Sequence, residues 1–355
     1  MIAYVSIISF SLLIYFICSG LHYSKQRTDR IVVSVFFVSY LLLVCLRDIS
    51  VGNDTITYYN RFQIISRYDW EQLFSYSGAG REPGFLIINK LISVIGDYRL
   101  LIIFVACISI IPLIYLYKKE AEGAVFCISF YLISLLFGLF FSGMRQGIAI
   151  GLAVPAYYLS KKRKLLFFLC IVVLAFCFHM TGILIGLIYP IYHAKITKKW
   201  LWVVVPGMIA IYLFRDTVFK LLFILMGDTS YSVYNILTGT SNQGALMVLF
   251  ILLAIYCYII LDEEKAGEEE IGLRNLLLLA AFIHLFTPLN PVFGRINFYF
   301  IPFIPVTITR VNNRCKQQYL QIKNVASFIM PMFFILYFVF FKTDSLGIMN
   351  YRFFF

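Results

Sequence analysis

IVVSVFFVSYLLLVCL, residues 31–46, is an apolar run of nearly the length that a helix needs to cross a bilayer, and it decides the fold class. The polar stretch RDISVGNDTITYY, residues 47–59, follows at once. It brings an arginine, two aspartates, a glycine and two tyrosines within a few residues of leaving hydrocarbon. This order predicts a membrane helix that ends at a polar site on the membrane surface.

The composition places the whole chain in the membrane class. Of its 355 residues, 61% are hydrophobic and 14% are charged, whereas soluble domains are about half apolar and about a quarter charged. The formal net charge is +12, but the basic residues lie in loops between apolar runs, where chain orientation and lipid headgroups explain them. No nucleic-acid motif is present, so the bilayer and not a nucleic acid is the predicted partner.

The eight cysteines and four histidines show no metal-binding spacing. The cysteines fall mostly inside apolar runs without a CxxC pair, which is typical of small packing residues. The histidines lack an HExxH arrangement. We therefore predict neither a metal nor another cofactor.

Apolar runs of bilayer length predict an all-α, polytopic membrane protein with about 12 transmembrane helices in a single domain, residues 1–355. The run 2–20 lacks a basic leader and a cleavage site, and it is interpreted as the first span. GFLIINKLISVIGD, residues 84–97, is too short to cross, and its apolar residues recur at helical spacing, which predicts an interfacial half-helix. The predicted spans are 2–20, 31–46, 99–117, 124–142, 146–160, 165–179, 180–194, 201–214, 244–261, 273–289, 296–310 and 325–341.

Loop charges predict the orientation. One alternate set of loops holds 18 of the 30 lysines and arginines, so the positive-inside rule places that set in the cytoplasm. Both termini and the loops 47–83 and 215–243 are then outside. The inner set holds 12 Lys and 6 Arg, and the outer set 9 Arg and 3 Lys. Arginine binds phosphate bidentately, so the excess of arginine outside favours an anionic ligand there. The alternative is that lysine dominates the inner loops only because it sets the topology, and that arginine remains outside by chance.

Four polar clusters and one histidine fall on the predicted outer face. The candidate residues are Arg47, Asp48, Asp54 and Tyr58, then Arg81 and Glu82, then Arg145 and Gln146, then Arg295, and finally His179. The carboxylates and the histidine are candidate acids or bases, and the other residues are candidates for substrate binding. Snorkelling at span ends explains any single charge. The alternative role for the carboxylates is pairing with nearby arginines. The alternative for His179 is a packed histidine that is bonded to a neighbouring carbonyl.

The segments RDISVGNDTITYY, REPGF, MRQGIA, FHMTG and FGRINFYF resemble, in order and spacing, the EpsG-like membrane proteins, which are relatives of Wzy-type polysaccharide polymerases. The resemblance covers roughly residues 45–300. It implies a glycosyltransferase of GT-C-related architecture in the bacterial cytoplasmic membrane. Such enzymes join undecaprenyl-pyrophosphate-linked repeats at the outer face for O-antigen, capsule or exopolysaccharide, and a chain-length regulator is an optional further partner.

The resemblance also implies roles for the matching residues. Arg47, Arg81, Arg145 and Arg295 would hold the pyrophosphates, whose charge develops as the donor leaves. An acceptor hydroxyl needs a base, and the sequence does not rank Asp54, Glu82 and His179. A flippase or transporter of lipid-linked oligosaccharide is the main rival interpretation, and a structural or regulatory subunit is the third. The absence of an internal repeat and the gathering of charges at one face favour the enzyme.

Overall fold

A computed structural model describes residues 1–75, 82–120, 122–214, 217, 244–287, 291–341, 344 and 346–355. These residues are helical and contain no β-strand; two isolated bridges pair Arg47 with Phe353 and Leu261 with Cys315. The predicted all-α fold class is confirmed. The described chain divides into two compact units, Met1–Tyr189 with Gln321–Phe355, and Pro190–Leu320. The single domain 1–355 stays a prediction.

Seventeen α-helices are found in the described residues. They are α1 (Ile2–Gly20), α2 (Lys25–Leu46), α3 (Thr55–Arg67), α4 (Trp70–Ser75), α5 (Pro83–Ile95), α6 (Tyr98–Glu120), α7 (Ala124–Ile133), α8 (Leu136–Ser142), α9 (Met144–Lys161), α10 (Leu165–Phe178), α11 (Ile188–His193), α12 (Lys198–Leu213), α13 (Gly244–Ile260), α14 (Glu268–His284), α15 (Pro291–Asn297), α16 (Phe303–Asn313) and α17 (Leu320–Phe341). Two 3-10 helices, Met180–Leu187 and Gln317–Tyr319, precede α11 and α17.

Four helices in the described residues are long and apolar enough to cross a membrane, namely α1, α2, α6 and the segment Gln317–Phe341. A fifth span results if the bent pair α7 and α8 counts as one. Several other apolar helices have 10–17 residues. The helices indicate a membrane protein, and the count of twelve spans stays a prediction. The expected short helix is present as α5, and its membrane position is likewise a prediction.

The predicted span 124–142 is broken in the structure. Helices α7 and α8 meet at an angle of 61°, because the chain turns extended at Ser134. The Ser134 hydroxyl donates to Tyr131 O at 2.7 Å, and such a side-chain bond competes with the helical ladder. The predicted span 180–194 also differs, since it begins as a 3-10 helix rather than an α-helix.

Aromatic side chains form much of the core of the first unit. Tyr40 of α2 lies edge-on to Tyr131 of α7, with ring centroids 5.3 Å apart, and the Tyr40 hydroxyl donates to Phe137 O at 2.6 Å. Phe137 also meets Phe338 of α17, at 5.1 Å. Edge-to-face pairs of this kind stabilise beyond the area that they bury. The outward sides of α1 and α17 are apolar, as shown by Phe16 and Phe340, which is typical of surfaces that face lipid.

The second unit is organised around α14. Buried Arg274 donates to Glu263 Oε1 at 2.6 Å and to Ile196 O at 2.7 Å, and its guanidinium lies 4.0 Å from the Tyr258 ring centroid. These contacts compensate the cost of burying its charge. An apolar cavity of about 780 Å³ is lined mainly by α12, α13 and α14.

Candidate active site

Four side chains from four separate segments of the first unit meet around Glu82. His179 Nδ1 lies 2.7 Å from Glu82 Oε1. Arg145 donates through Nη1 to the other carboxylate oxygen. The Nε of Arg145 donates to the Tyr58 hydroxyl at 3.3 Å, and its guanidinium lies 5.7 Å from the centroid of the Tyr58 ring. The candidates Tyr58, Glu82, Arg145 and His179 are therefore brought together by the fold, and we call them the Glu82 cluster.

Helices α5 and α10 bring Glu82 to His179. Glu82 immediately precedes α5, whose first residue is Pro83, an amino acid suited to that position by its fixed φ. A Cβ on Gly84 would lie only 3.1 Å from Cys177 O in α10. His179 follows α10 in an extended conformation, and its N–H donates to Ala175 O at 2.9 Å. The missing side chain at Gly84 thus permits the close approach that pairs the two residues.

Arg145 occupies the first turn of α9, which begins at Met144. A cation in the first turn is unfavourable because the helix N-terminus carries partial positive charge. The carboxylate of Glu82 offsets this positive charge, and so would a bound anion. One third of the Arg145 side chain remains exposed, whereas Glu82 is nearly buried. Arg145 is thus the accessible cation of the Glu82 cluster.

The surroundings of Glu82 fix the charge of its carboxylate. Burial alone would raise the pKa of Glu82, but the hydrogen bond from His179 and the charge of Arg145 outweigh burial and lower that pKa below its ordinary value. Glu82 is therefore ionised at neutral pH and acts only as an acceptor. Nδ1 of His179 must then be the donor in the bond to Glu82, which leaves Nε2 as the ring nitrogen available to another partner. Asp–His pairs orient bases in this way.

Asp54 and Gln146 border the Glu82 cluster. The exposed Asp54 precedes α3, and its backbone N–H donates to the Ser142 hydroxyl at 3.1 Å. Burial and, to a smaller extent, the charge of Asp54 raise the pKa of Tyr58, while Arg145 opposes that shift. Gln146 is buried directly after Arg145. Asp54 is thus close enough to influence the cluster electrostatically.

Arg47 has a different environment. It is 1% exposed at the end of α2, and its Nη1 donates to Val44 O at 2.5 Å. Its carbonyl accepts from Arg99 Nη1 at 2.6 Å. Asp48 is half-buried, and its carboxylate accepts from the Ser50 N–H at 2.9 Å. A hydrogen bond with the Ser50 side chain is the main reason why the pKa of Asp48 is lowered, and this backbone bond adds to the effect. The contacts of Arg47 and Asp48 are therefore those of a structural turn.

The family comparison adds a decisive observation. The model of the EpsG family matches residues 30–353, which is nearly the whole chain and includes every candidate residue. The chain belongs to the EpsG family. No curated protein matches the sequence, and no solved structure matches the fold. The resemblance expected from the motifs is therefore confirmed, and membership of the EpsG family suggests a function of the polysaccharide-polymerase type.

The two remaining candidate arginines, Arg81 and Arg295, are not among the residues of the Glu82 cluster. Arg81 and most of the loop 215–243 lie outside the described residues. Arg295 belongs to the second unit and is exposed at the end of α15. Among the described side chains, no group of three or more His, Cys, Asp or Glu residues is arranged to hold a metal.

Sequence reasoning missed a buried polar pair in the second unit of this EpsG protein. Asn297 Nδ2 donates to Ala280 O and lies near His284 Nδ1, both at 2.9 Å. Both side chains are fully buried. Asn297 is the asparagine of the FGRIN motif, so the motif that drew attention to Arg295 also carried this signal.

Proposed function

We propose that this EpsG protein is a polysaccharide polymerase that transfers undecaprenyl-pyrophosphate-linked oligosaccharide repeats onto one another. The observation that carries the proposal is the Glu82 cluster, a histidine oriented by a buried carboxylate beside a partly exposed arginine. Base and anion-binding group are the two elements that transfer from a lipid pyrophosphate requires.

The proposed reaction assigns a role to each member of the cluster. The acceptor sugar hydroxyl gives its proton to His179 Nε2 as its oxygen attacks the anomeric carbon of the donor. The bond from that carbon to the phosphate oxygen breaks, and lipid pyrophosphate leaves with the bonding electrons. Arg145 stabilises the departing anion, and Glu82 holds the imidazole ring and balances its charge when protonated.

The topology proposed for this reaction follows from the orientation of the loops. The enzyme lies in the bacterial cytoplasmic membrane with about 12 spans and GT-C-related architecture, with both termini and the Glu82 cluster at the outer face. In the first unit, Tyr4 donates through its hydroxyl to Ile348 O at 2.7 Å, so the two ends of the sequence meet at one end of this unit. This contact supports placing both on the same side.

Arg81 and Arg295 are proposed as further ligands of the lipid-linked pyrophosphates, with Gln146 and Asp48 near the glycan. A chain-length regulator is an additional proposed partner, and the product belongs to the O-antigen, capsule or exopolysaccharide class.

Purified protein supplied with lipid-linked repeat tests the proposal. The expected result is oligosaccharide of two or more repeats on one lipid, with one lipid pyrophosphate released for each new glycosidic bond, as measured by mass spectrometry. Repeats that stay single at saturating substrate would contradict it.

A further inference from the structure

The segment 346–355 returns to the end of α2 and pairs with the loop that leads to the Glu82 cluster. We call it the return segment. The N–H of Asp48 donates to Arg352 O at 2.9 Å, and the N–H of Phe354 donates to Leu46 O at 3.2 Å. The Tyr351 hydroxyl donates to Leu43 O at 2.9 Å. These bonds attach the segment to the last turn of α2 and the first residues beyond it.

A second set of contacts reaches further along the same loop. The N–H groups of Gly52 and Asn53 donate to Gly347 O and Leu346 O, each at 3.0 Å. Gly347 has a φ of +66°, and a Cβ there would lie 2.3 Å from Asn53 Oδ1. A side chain at position 347 is therefore disfavoured by the left-handed backbone, and it would have to displace the side chain of Asn53.

Arg99, at the start of α6, contacts both the loop after α2 and the return segment. Its Nη1 donates to Arg47 O at 2.6 Å, and its guanidinium lies 3.8 Å from the Phe354 ring centroid. At this distance the guanidinium is attracted to the negative face of the aromatic ring. The return segment is thus held by backbone bonds on one side and by a cation–π contact on the other.

The loop in turn holds both sides of the Glu82 cluster. Thr55 Oγ1 donates to Phe141 O at 3.0 Å, and the Asp54 N–H donates to the Ser142 hydroxyl. Phe141 and Ser142 end α8, three residues before Arg145. The N–H of Tyr58 donates to Asp54 O at 3.0 Å in the first turn of α3. Tyr58 and Arg145 therefore both take their positions from residues 54 and 55.

We infer that the return segment is a clasp that positions Tyr58 and Arg145 for the reaction, through the loop 47–54. The inference rests on the proposed function of the Glu82 cluster. It assigns Gly347 and Phe354 as positioning residues, since neither contacts the cluster. Misplacement of catalytic groups by about 1 Å costs about a hundredfold in rate, so a loosened clasp should slow transfer without unfolding the protein.

Two variants loosen the clasp, and each has a matched control. Gly347→Ala inserts a Cβ against Asn53, whereas Gly20→Ala places one where no atom lies within 4 Å. Phe354→Leu removes the ring beneath Arg99, and Phe354→Trp restores one. The matched control is Phe340→Leu, which alters an aromatic residue of α17 that is 72% exposed and lies outside the return segment. Hydrogen exchange of the peptide containing Gly52 and Asn53 reports docking of the clasp without any assay of activity.

We expect Gly347→Ala and Phe354→Leu to speed exchange in the loop and to lower kcat about tenfold to a hundredfold. They should also move to higher pH the acid limb of the kcat profile along which Glu82 takes up a proton. Glu82 is faced by Arg145 from α9, by His179 after α10 and by Tyr58 from α3, and displacing Arg145 weakens its stabilisation of the ionised carboxylate. Phe354→Trp should restore both properties, and the two control variants should match the unmodified protein.

Unchanged exchange in both clasp variants would overturn the inference. Faster exchange together with a kcat that falls equally at every pH would also overturn it. A loss of folded protein lowers the rate in that way, without changing the pH at which the acid limb begins. The proposed function fails differently: if Glu82→Gln polymerises normally, the cluster is not the active site, whatever the exchange data show.

Discussion

Nδ1 of His179 lies 2.7 Å from Oε1 of Glu82, although 97 positions separate the two residues in the sequence. The pair leaves Nε2 as the ring nitrogen that can serve another partner. In the proposed reaction, His179 is therefore the base and Glu82 the residue that orients it. Asp54 lies at the border, where it influences Tyr58.

Glu82→Gln should lower the rate of polymer formation about a hundredfold or more, because His179 then loses the carboxylate that selects its tautomer. The measurement is initial rate with purified protein and saturating lipid-linked repeat. Glu71→Gln, in the exposed face of α4, is the matched control and should leave the rate unchanged. A Glu82→Gln rate within threefold of the control would contradict the assigned role.

Arg145→Ala and Arg295→Ala should leave the protein inserted in the membrane and abolish long-chain glycan, since each removes a group proposed to bind pyrophosphate. Arg145→Lys should rescue little, because one ammonium cannot replace the fork that reaches both Glu82 and Tyr58. Glycan length on a gel is the readout. Arg67→Lys, on an exposed site at the end of α3, serves as control, and normal chain length in the Arg145 and Arg295 variants would remove the pyrophosphate role.

The ion pair around Glu82 should make stability depend on pH in one direction. The pKa of Glu82 is lowered in the folded protein, so its contribution is complete above the unfolded value near 4.5 and is lost as the pH falls through the lower folded value. Glu82→Gln should therefore cost about 1–2 kcal/mol at pH 7 and almost nothing at low pH. Thermal midpoints of both proteins from pH 3 to 7 give the comparison; a constant difference would refute the linkage.

Gly84→Ala should reduce activity more than stability. The added Cβ lies 3.1 Å from Cys177 O, so α5 and α10 must separate by a few tenths of an ångström and stretch the Glu82–His179 bond. We expect about a tenfold loss of rate, since small misplacements of catalytic groups are costly. Gly186→Ala, where the nearest atom is 3.8 Å away, is the control. Equal rates for the two variants would show that the approach of the helices is not limiting.

The sequence predicted the helices better than their breaks. Apolar length and helical spacing located α1, α2, α5 and α6, since both properties are local. The bend at Ser134 depends on a single hydroxyl that bonds its own backbone, which hydropathy does not register. Helices of 10–17 residues are also ambiguous, because length alone does not separate a short span from a buried segment.

The site was predictable as a set of residues but not as a geometry. Glycines and charges at the ends of apolar runs identified Glu82, Arg145 and His179, yet their pairing joins positions 63 and 97 apart. Arg47 and Arg145 look alike in sequence, since each adjoins an apolar run. Arg47 is nevertheless buried, because residues 346–355 return to cover the end of α2, and no local pattern announces that return.

The most direct test of the central claim uses vesicles that contain purified protein and undecaprenyl-pyrophosphate-linked repeat, with glycosidic bonds and movement of the repeat across the bilayer measured together. The unmodified protein and His22→Ala, which alters an exposed turn residue, should both form a ladder of joined repeats, and His179→Ala should form none. Repeats that cross the bilayer without any new bond, or a normal ladder from His179→Ala, would contradict the account.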